Sequence, residues 1–388
     1  MARDPLEFRS RESRWADQCQ RLEDLWPGSA IADPSDLAML PVLRKDAVCR
    51  EQSANPPFGT FRSSNVEMIF QSPGPIYEPG STQRDWWRFG RFLAAIGLGP
   101  GDVVQNTFSY HFTPAGAMFG SAASAVGATI VPTGPGHTAQ QAEVAAHVGT
   151  TAYAGTPDYL AAILAKAREL GLDLSAIKTA AVSAGPLFPQ VRDTYLQDGI
   201  LCRQCYGTAD AGLIAYESAD ETDGMIVDED VILEIVTPGT GTPVEPGEIG
   251  EVLVTVLNPD YPLLRFSTGD LSATLPGTAA CGRTNTRIVG WRGRADQAAK
   301  VKGMFIRPEQ VARLVERHDE IERARVEVSR NGQGDLITVH LETSAKDAAP
   351  FEASISELLK LRATVALVEK GALPRDGTVI ADLRPIGD

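Results

Sequence analysis

The 388-residue sequence lacks long apolar runs and blocks of basic residues. Its apolar stretches, such as residues 161–165, are much shorter than the roughly 20 residues that a membrane-spanning helix needs. The net charge is −14, so we expect neither nucleic acid nor a membrane as a partner. The charged N-terminus has no apolar core resembling a secretory signal, and we therefore expect a cytoplasmic protein.

Cysteine is also scarce, and the five residues present are an odd number in a long chain, which indicates reduced thiols. Cys202 and Cys205 form a C-x-x-C pair, and Cys281 is a candidate third metal ligand. A zinc site needs a fourth ligand, and no histidine stands at a convincing position near them in the sequence. Small buried thiols are the simpler interpretation, and zinc or redox chemistry stays open.

The chain is long enough for two or three domains. Between about residues 103 and 200, short apolar strands alternate with helices, which is typical of a largely parallel sheet with helices on both faces. Alternating apolar and polar residues then predict antiparallel strands in a β subdomain at about residues 224–290. We therefore predict an α/β protein with a large N-terminal α/β body over residues 1–292 and a small α+β domain over residues 293–388.

Residues 70–80 (FQSPGPIYEPG) lie between a predicted strand and a predicted helix over residues 84–98. Loops in this place often bind phosphate through free backbone N–H groups. Three prolines, Pro73, Pro75 and Pro79, have no N–H group to offer. The segment is therefore either a rebuilt phosphate loop or no phosphate loop.

Thr268-Gly269-Asp270 follows another predicted strand. A carboxylate fixed at the end of a strand can accept hydrogen bonds from both hydroxyls of a ribose, although an Asp that caps the next segment would have the same pattern. Further along the chain, Arg294 and Lys302-Gly303 flank a short predicted strand. Alone, these residues indicate only a basic hairpin.

Taken together and in this order, the motifs resemble the adenylate-forming superfamily, and within it the phenylacetate–coenzyme A ligase family. The resemblance covers about residues 65–384 and rests on these motifs: SYHFTPAGAMFGSAASAVGATIVPTGPGHTAQQ, SAGPLFP, YGTADAG, YPLLRFSTGD, CGRT, GRADQAAKVKG and LPRDGTVIADLR. It implies that a carboxylate attacks the α-phosphorus of ATP to give an acyl-adenylate and pyrophosphate, and that coenzyme A then displaces AMP. ATP, Mg²⁺ and coenzyme A are the implied cofactors.

The resemblance also implies roles for individual residues. Asp270 would bind the ribose hydroxyls, Arg294 would contact the nucleotide, and Gly293 would be the hinge of a mobile C-terminal lid. Asp210 would lie beside Mg²⁺ in the place of a family Glu. The remaining implied nucleotide contacts are Tyr206, Gly207 and Thr208 along the adenylate, Gly185 and Pro186 along the adenine, and Ser72 and Gly74 in the phosphate loop.

An aromatic segment stands where the family lines its acyl pocket: Phe108, Tyr110, His111 and Phe112. Ala184 is a further candidate residue of this pocket. Ring contacts would make such a pocket selective for small, flat aromatic acids. The alternative is that these aromatic residues belong to the core. His111 is either a hydrogen-bond donor in the pocket, and so a candidate catalytic residue, or a structural imidazole.

Three departures from the family pattern fall on groups that handle ATP. Glu78 aligns with the lysine of the phosphate loop, Gly185 replaces a Glu, and residues 377–384 lack the lysine that the family uses for adenylation. Lys302 and Lys300 are candidates to replace that lysine. The predicted enzyme is thus an aryl-CoA ligase with an impaired first step. Two alternatives are a non-catalytic or regulatory protein that binds AMP, acyl-adenylate or acyl-CoA, and a transferase that uses another acceptor. Whether the chain forms a homodimer is left open.

Overall fold

The computed structural model describes residues 9–384, with gaps at residues 28–30, 32, 62–64, 186, 293–294, 296–298, 302–303, 307, 332–333 and 375–378. Its contacts divide the chain into two compact units, with the boundary between residues 292 and 293. No helix in the described part of the chain has both the length and the apolar character needed to cross a membrane.

The helices and strands of the first unit follow in chain order. The helices are α1 (Arg11–Leu25), α2 (Lys45–Ala54), α3 (Phe89–Ala95), α4 (Ala115–Ala125), α5 (Thr138–Val148), α6 (Pro157–Leu170) and α7 (Pro189–Gln197), with a 3₁₀ turn at Pro34–Met39. The strands are β1 (Met68–Ser72), β2 (Ile76–Gly80), β3 (Val103–Asn106), β4 (Thr129–Pro132), β5 (Ala152–Gly155), β6 (Thr179–Val182), β7 (Leu201–Thr208), β8 (Gly212–Ser218), β9 (Glu221–Val227), β10 (Val231–Val236), β11 (Gly250–Val256), β12 (Leu263–Ser272), β13 (Thr274–Leu275) and β14 (Arg287–Ile288).

The main sheet has the strand order β13-β14-β9-β8-β7-β6-β5-β3-β4. Its β4-β3-β5-β6-β7 portion is parallel, as the alternation of strands and helices predicts. Both faces are covered by apolar clusters, one around Phe92 and Phe119 and the other around Leu160 and Ile163. The helices that connect parallel strands pack on both faces of the sheet, so both faces are apolar and buried.

The antiparallel strands expected at about residues 224–290 divide between two sheets. Strands β10, β11 and β12 form a separate three-stranded sheet, whereas β9, β13 and β14 extend the main sheet. The last strand of the three-stranded sheet, β12, carries Asp270, the predicted ribose ligand.

Residues 68–80 form a hairpin, so the prediction of one continuous loop over residues 70–80 was wrong. Strands β1 and β2 pair antiparallel over five residue pairs, and the turn is confined to Pro73-Gly74-Pro75. The prolines favoured a loop, but two of them lie in the turn and Pro79 lies in a two-stranded sheet, where each strand has a free edge. The predicted helix over residues 84–98 is also shorter, since α3 spans only Phe89–Ala95.

The second unit contains a four-stranded sheet covered by two helices. Its elements are β15 (Ala299–Val301), β16 (Met304–Ile306), α8 (Pro308–Arg317), β17 (Ile321–Asn331), β18 (Gly334–Thr343), α9 (Ala349–Leu359), β19 (Thr364–Val368) and β20 (Ile380–Asp382). The sheet order is β19-β18-β17-β20. Val326, Val328, Val339 and Leu341 are fully buried in its core, which gives this unit an apolar centre of its own.

Candidate nucleotide-binding site

The predicted site residues of the first unit lie mainly at the carboxyl ends of the parallel strands. Residues 108–112 follow β3, residues 184–185 follow β6, and residues 206–210 close β7 and begin the turn to β8. In open α/β sheets, ligands bind at this edge. Strands β6 and β7 are direct neighbours, whereas β5 separates β3 from β6.

Asp270 joins this edge from the neighbouring sheet. The hydroxyl of Tyr206 donates a hydrogen bond to Asp270 Oδ2 at 2.7 Å, and the indole Nε1 of Trp291 donates to Asp270 Oδ1 at 3.0 Å. A bulge sets the direction of this side chain, because residues 268–270 of β12 oppose only Val252 of β11. Gly269 has a φ of +73° within the bulge, a conformation that glycine adopts without strain.

Asp210 is paired with a residue from a distant part of the sequence. Lys45 Nζ lies 2.9 Å from Asp210 Oδ2, and the Asp210 side chain is only 2% exposed. The other oxygen, Oδ1, is buried and has no hydrogen-bond partner among the described residues. No local pattern in the sequence points to Lys45, because 165 positions separate the two partners.

Glu78 is buried inside β2 and does not project from the turn. The Ser72 hydroxyl donates a hydrogen bond to Glu78 Oε1. Ser72, a predicted phosphate contact, therefore already has a hydrogen-bond partner within the protein. Burial and the nearby Asp210 carboxylate raise the pKa of Glu78 to about 8. The alignment placed Glu78 at the lysine position of a phosphate loop. In the structure, Glu78 instead lies inside a strand.

The described residues do not fit a magnesium ion at Asp210. Mg²⁺ requires about six oxygen ligands in octahedral geometry and usually keeps several waters. Here one carboxylate oxygen receives the Lys45 ammonium group, the side chain is nearly inaccessible, and the neighbouring Glu78 favours its neutral form. In the described part of the chain, no three carboxylate, thiol or imidazole side chains are grouped to hold a metal.

The glycines of the site differ in what they do. A Cβ atom at Gly207 would lie 2.7 Å from the Gly212 carbonyl oxygen and 2.8 Å from Phe89 Cζ, so packing alone requires glycine there. At Gly185 the nearest atom would be 3.4 Å away, which leaves space. The Thr208 hydroxyl accepts a hydrogen bond from the backbone N–H of Ala211 and so stabilises the turn after β7.

The aromatic segment after β3 divides between the core and the surface. Phe108 is buried and stacks on Phe119 with ring centroids 4.6 Å apart. Tyr110 and Phe112 are 40% and 77% exposed. The backbone N–H of His111 is bonded to the Ser109 hydroxyl. Exposed Ala184 follows β6 with a φ of +60°. Phe108 thus acts first as a core residue, and Tyr110 and Phe112 are the rings that a ligand can reach.

The chain as a whole is similar to known proteins. The sequence model described as "AMP-binding enzyme" matches residues 82–256. Over these residues the chain is similar to adenylate-forming enzymes. It is 28% identical to the phenylacetate–coenzyme A ligase of Escherichia coli K12, over 96% of this chain and 94% of the relative. The corresponding ligase of Thermus thermophilus is 29% identical over 74% of this chain and 68% of its own.

Solved structures show the same fold. A 2-hydroxyisobutyryl-CoA ligase in complex with 2-HIB-AMP and CoA has a TM-score of 0.77 at 21% identity, and the match covers 100% of this chain and 96% of that one. The o-succinylbenzoate CoA synthetase of Bacillus subtilis has a TM-score of 0.61 at 15% identity, over 83% of this chain and 69% of that one.

The geometry of the C-x-x-C pair does not suit joint binding of one metal ion. Cys202 and Cys205 are three residues apart on β7, so their side chains point to opposite faces of the sheet. They belong to different apolar clusters, and burial raises the pKa of the Cys202 thiol to about 12. Both are small buried thiols, as the simpler interpretation held.

Four of the predicted residues, Pro186, Gly293, Arg294 and Lys302, lie outside the described residues. Near the C-terminus, the described Arg384 is paired with Asp382 and, at 2.9 Å, with Asp335. Trp291 and Lys45 are the two contacts at the site that sequence reasoning missed.

Proposed function

We propose that this protein is an adenylate-forming enzyme that converts a small aromatic carboxylic acid to its coenzyme A thioester through an acyl-adenylate, with ATP as the co-substrate. The observation that carries the proposal is the convergence of Tyr206 and Asp270 at the carboxyl edge of the parallel strands. A fixed carboxylate at this edge suits a ribose diol. The names of the relatives, phenylacetate–coenzyme A ligases, support the reaction class.

In this proposal the nucleotide lies across the ends of β6 and β7. Asp270 accepts hydrogen bonds from the ribose hydroxyls, Tyr206 and Thr208 lie along the adenylate, and Gly185 lies along the adenine, next to Pro186. The open space at Gly185 is compatible with a flat base. Arg294 and Lys302 remain proposed catalytic contacts from the C-terminal domain, and Mg²⁺ would accompany the phosphates of ATP.

The acyl group is proposed to lie against the segment after β3. Tyr110 and Phe112 offer exposed aromatic surface, and flat acids gain from ring contacts that aliphatic acids cannot make. His111 and Ala184 complete the proposed pocket. We further propose that residues 293–388 form a lid that rotates about Gly293 between the two half-reactions.

A panel of carboxylic acids tests the substrate class. With ATP, Mg²⁺ and coenzyme A, phenylacetate and benzoate derivatives should give thioester together with equal amounts of AMP and pyrophosphate. Acetate, 2-hydroxyisobutyrate and long-chain acids serve as comparisons. Faster turnover of 2-hydroxyisobutyrate or fatty acids would contradict the aromatic pocket.

A second candidate function is a non-catalytic protein that binds AMP, acyl-adenylate or acyl-CoA. The hairpin turn favours it, because Pro73 and Pro75 offer no N–H groups to a triphosphate and Ser72 is bonded to Glu78. Tight AMP binding without turnover of any acid in the panel would support this function over the first.

A further inference from the structure

Lys45 lies outside the 82–256 match to the AMP-binding family, yet its position is fixed from both sides. Before it, Leu43 exchanges backbone hydrogen bonds with β12, from Leu43 N–H to the Arg265 carbonyl at 3.0 Å and from Ser267 N–H to the Leu43 carbonyl at 2.8 Å. After it, α2 is attached to β2, where the Gln52 amide forms two 2.8 Å hydrogen bonds with the Tyr77 backbone. Lys45, the first residue of α2, is thus held between the two sheets.

The ammonium group of Lys45 lies between a buried carboxylate and an aromatic ring. It is 2.9 Å from Asp210 Oδ2 and 5.6 Å from the ring centroid of Phe266. The ring face and the carboxylate both attract the positively charged ammonium group. The Lys45 side chain is nevertheless 37% exposed, and an ammonium group has three N–H donors. A ligand can therefore reach this cation while the ion pair stays intact.

The same segment connects Lys45 to the proposed ribose site. Tyr206, which donates to Asp270, and Asp210, which pairs with Lys45, are four residues apart at the end of β7. A nucleotide with its ribose on Asp270 thus has a positive charge nearby, at the place where a divalent cation does not fit.

We propose that Lys45 binds the phosphate group of AMP or of an acyl-adenylate, and that it does so in place of a metal ion held by Asp210. Asp210 then acts as a positioning residue that holds the ammonium group in place. This inference rests on the proposed nucleotide site and adds a phosphate contact to it.

Titration calorimetry on the full chain distinguishes the contribution of the phosphate group to binding from that of the adenosine part. AMP and adenosine are titrated in excess EDTA and in excess Mg²⁺. For the wild type, AMP affinity should differ by less than about twofold between the two conditions. Lys45→Met should weaken AMP binding by about ten- to a hundredfold, the value of a charge-assisted hydrogen bond, and leave adenosine binding unchanged. Lys45→Arg should retain most of the AMP affinity.

Arg44→Met is the matched control. Arg44 is the adjacent residue, has a 39% exposed side chain, and is paired at 3.2 Å with the buried Glu251, so this variant removes a similar ion pair outside the site. It should bind AMP as the wild type does. If Lys45→Met fails to fold because Asp210 is left unpaired, Lys45→Met combined with Asp210→Asn should show the same loss, selective for AMP.

Two results would overturn the inference and leave the nucleotide site standing. A tenfold gain in wild-type AMP affinity with Mg²⁺ would mean that a metal acts there, and an equal loss of adenosine and AMP in Lys45→Met would make Lys45 structural. Failure of the wild type to bind either ligand would instead overturn the proposed function together with this inference.

Discussion

Two nearly buried carboxylates at the site, Asp270 and Asp210, have different neighbours and therefore different capacities. In the described contacts, Asp270 receives hydrogen bonds from the neutral Tyr206 and Trp291, whereas Asp210 receives the Lys45 ammonium group. Neutral donors can be exchanged for the hydroxyls of a ribose with little change in charge. Removal of the ammonium group would leave a buried carboxylate without compensation, which is much more costly. Asp270 is thus suited to binding a ribose, and Asp210 is suited to holding the Lys45 ammonium group.

Asp270→Ala should weaken AMP binding by on the order of 2–3 kcal/mol, because charge-assisted hydrogen bonds to the ribose are lost. Titration calorimetry measures the change. Asp46→Ala is the control, since it removes an exposed carboxylate of α2 that is paired only with Arg50 in the described contacts. Unchanged AMP affinity in Asp270→Ala would remove the ribose role.

Gly207 and Gly185 should respond differently to a methyl group. Gly207→Ala would force a contact with the Gly212 carbonyl and the Phe89 ring, so we expect the free energy of unfolding to fall by about 1–3 kcal/mol. Gly185→Ala has space and should fold normally, with weaker AMP binding if an adenine lies there. Denaturant unfolding together with AMP titration tests both. Equal stability of the two variants would contradict the packing argument.

At the residue scale, the sequence indicated Asp270, whose ribose role stays a prediction, but not Trp291 or Lys45. The Thr-Gly-Asp motif is a local signal to which the resemblance assigned a role, although it lies in a bulge inside β12 and not after the strand. Trp291 and Lys45 come to the site only through the pairing of distant segments, which no local pattern reports. The position of Glu78 was misjudged because alignment with a motif does not reveal which side of a hairpin strand is buried.

At the element scale, the parallel strands could be predicted and the hairpin could not. Strands such as β5, with four buried residues, are apolar runs between helices that are too short to be helices themselves, and length therefore identifies them as buried strands. Proline-rich residues 70–80 satisfied the usual signals of a loop, and only the register of β1 against β2 shows the hairpin. Helix α3 begins later than predicted because Asp85 and the residues after it form the turn that caps it.

Asp85 gives this cap a measurable pH dependence. Asp85 Oδ1 accepts a hydrogen bond from Gly90 N–H at 2.7 Å, and burial raises the pKa of this carboxyl from 3.8 to about 7. The folded state then retains a proton that the unfolded state loses, so stability should fall as the pH rises from about 4 to 7. The slope from this group is at most about 1.4 kcal/mol per pH unit.

Asp85→Asn keeps an acceptor for Gly90 N–H and cannot ionise, so its stability relative to the wild type should increase over the same pH range. Thermal unfolding at several pH values measures the difference. Asp173→Asn is a control of opposite sign, because hydrogen bonds from Ser175 lower the pKa of Asp173 and its contribution is lost toward acid pH. A difference between Asp85→Asn and the wild type that does not vary with pH would show that Asp85 is ionised throughout.

At the scale of the whole molecule, the altered groups fall on one half of the proposed reaction. The turn Pro73-Gly74-Pro75 offers few N–H groups to departing pyrophosphate, and residues 377–384 lack the lysine that the family uses for adenylation. Asp270 and the acyl pocket would serve both half-reactions. Glu78→Lys, the substitution that alignment suggests as a rescue, would instead place an ammonium group in the protein interior near Lys45.

We therefore expect ATP-driven ligation to be slow and a synthetic aryl-adenylate to be converted to the CoA thioester faster. One strong electrostatic contact in an active site is worth roughly 3–4 kcal/mol, or about 10²–10³ in rate. The two thioester-forming rates are measured separately, from acid plus ATP and from adenylate plus coenzyme A. An ATP-driven rate that equals the adenylate-driven rate would contradict an impaired first step and would require another basic group to replace the missing lysine, with Lys302 and Lys300 as the candidates. Inactivity in both assays, combined with tight AMP binding, would favour the binding protein, because that protein needs Asp270 but not the lysine.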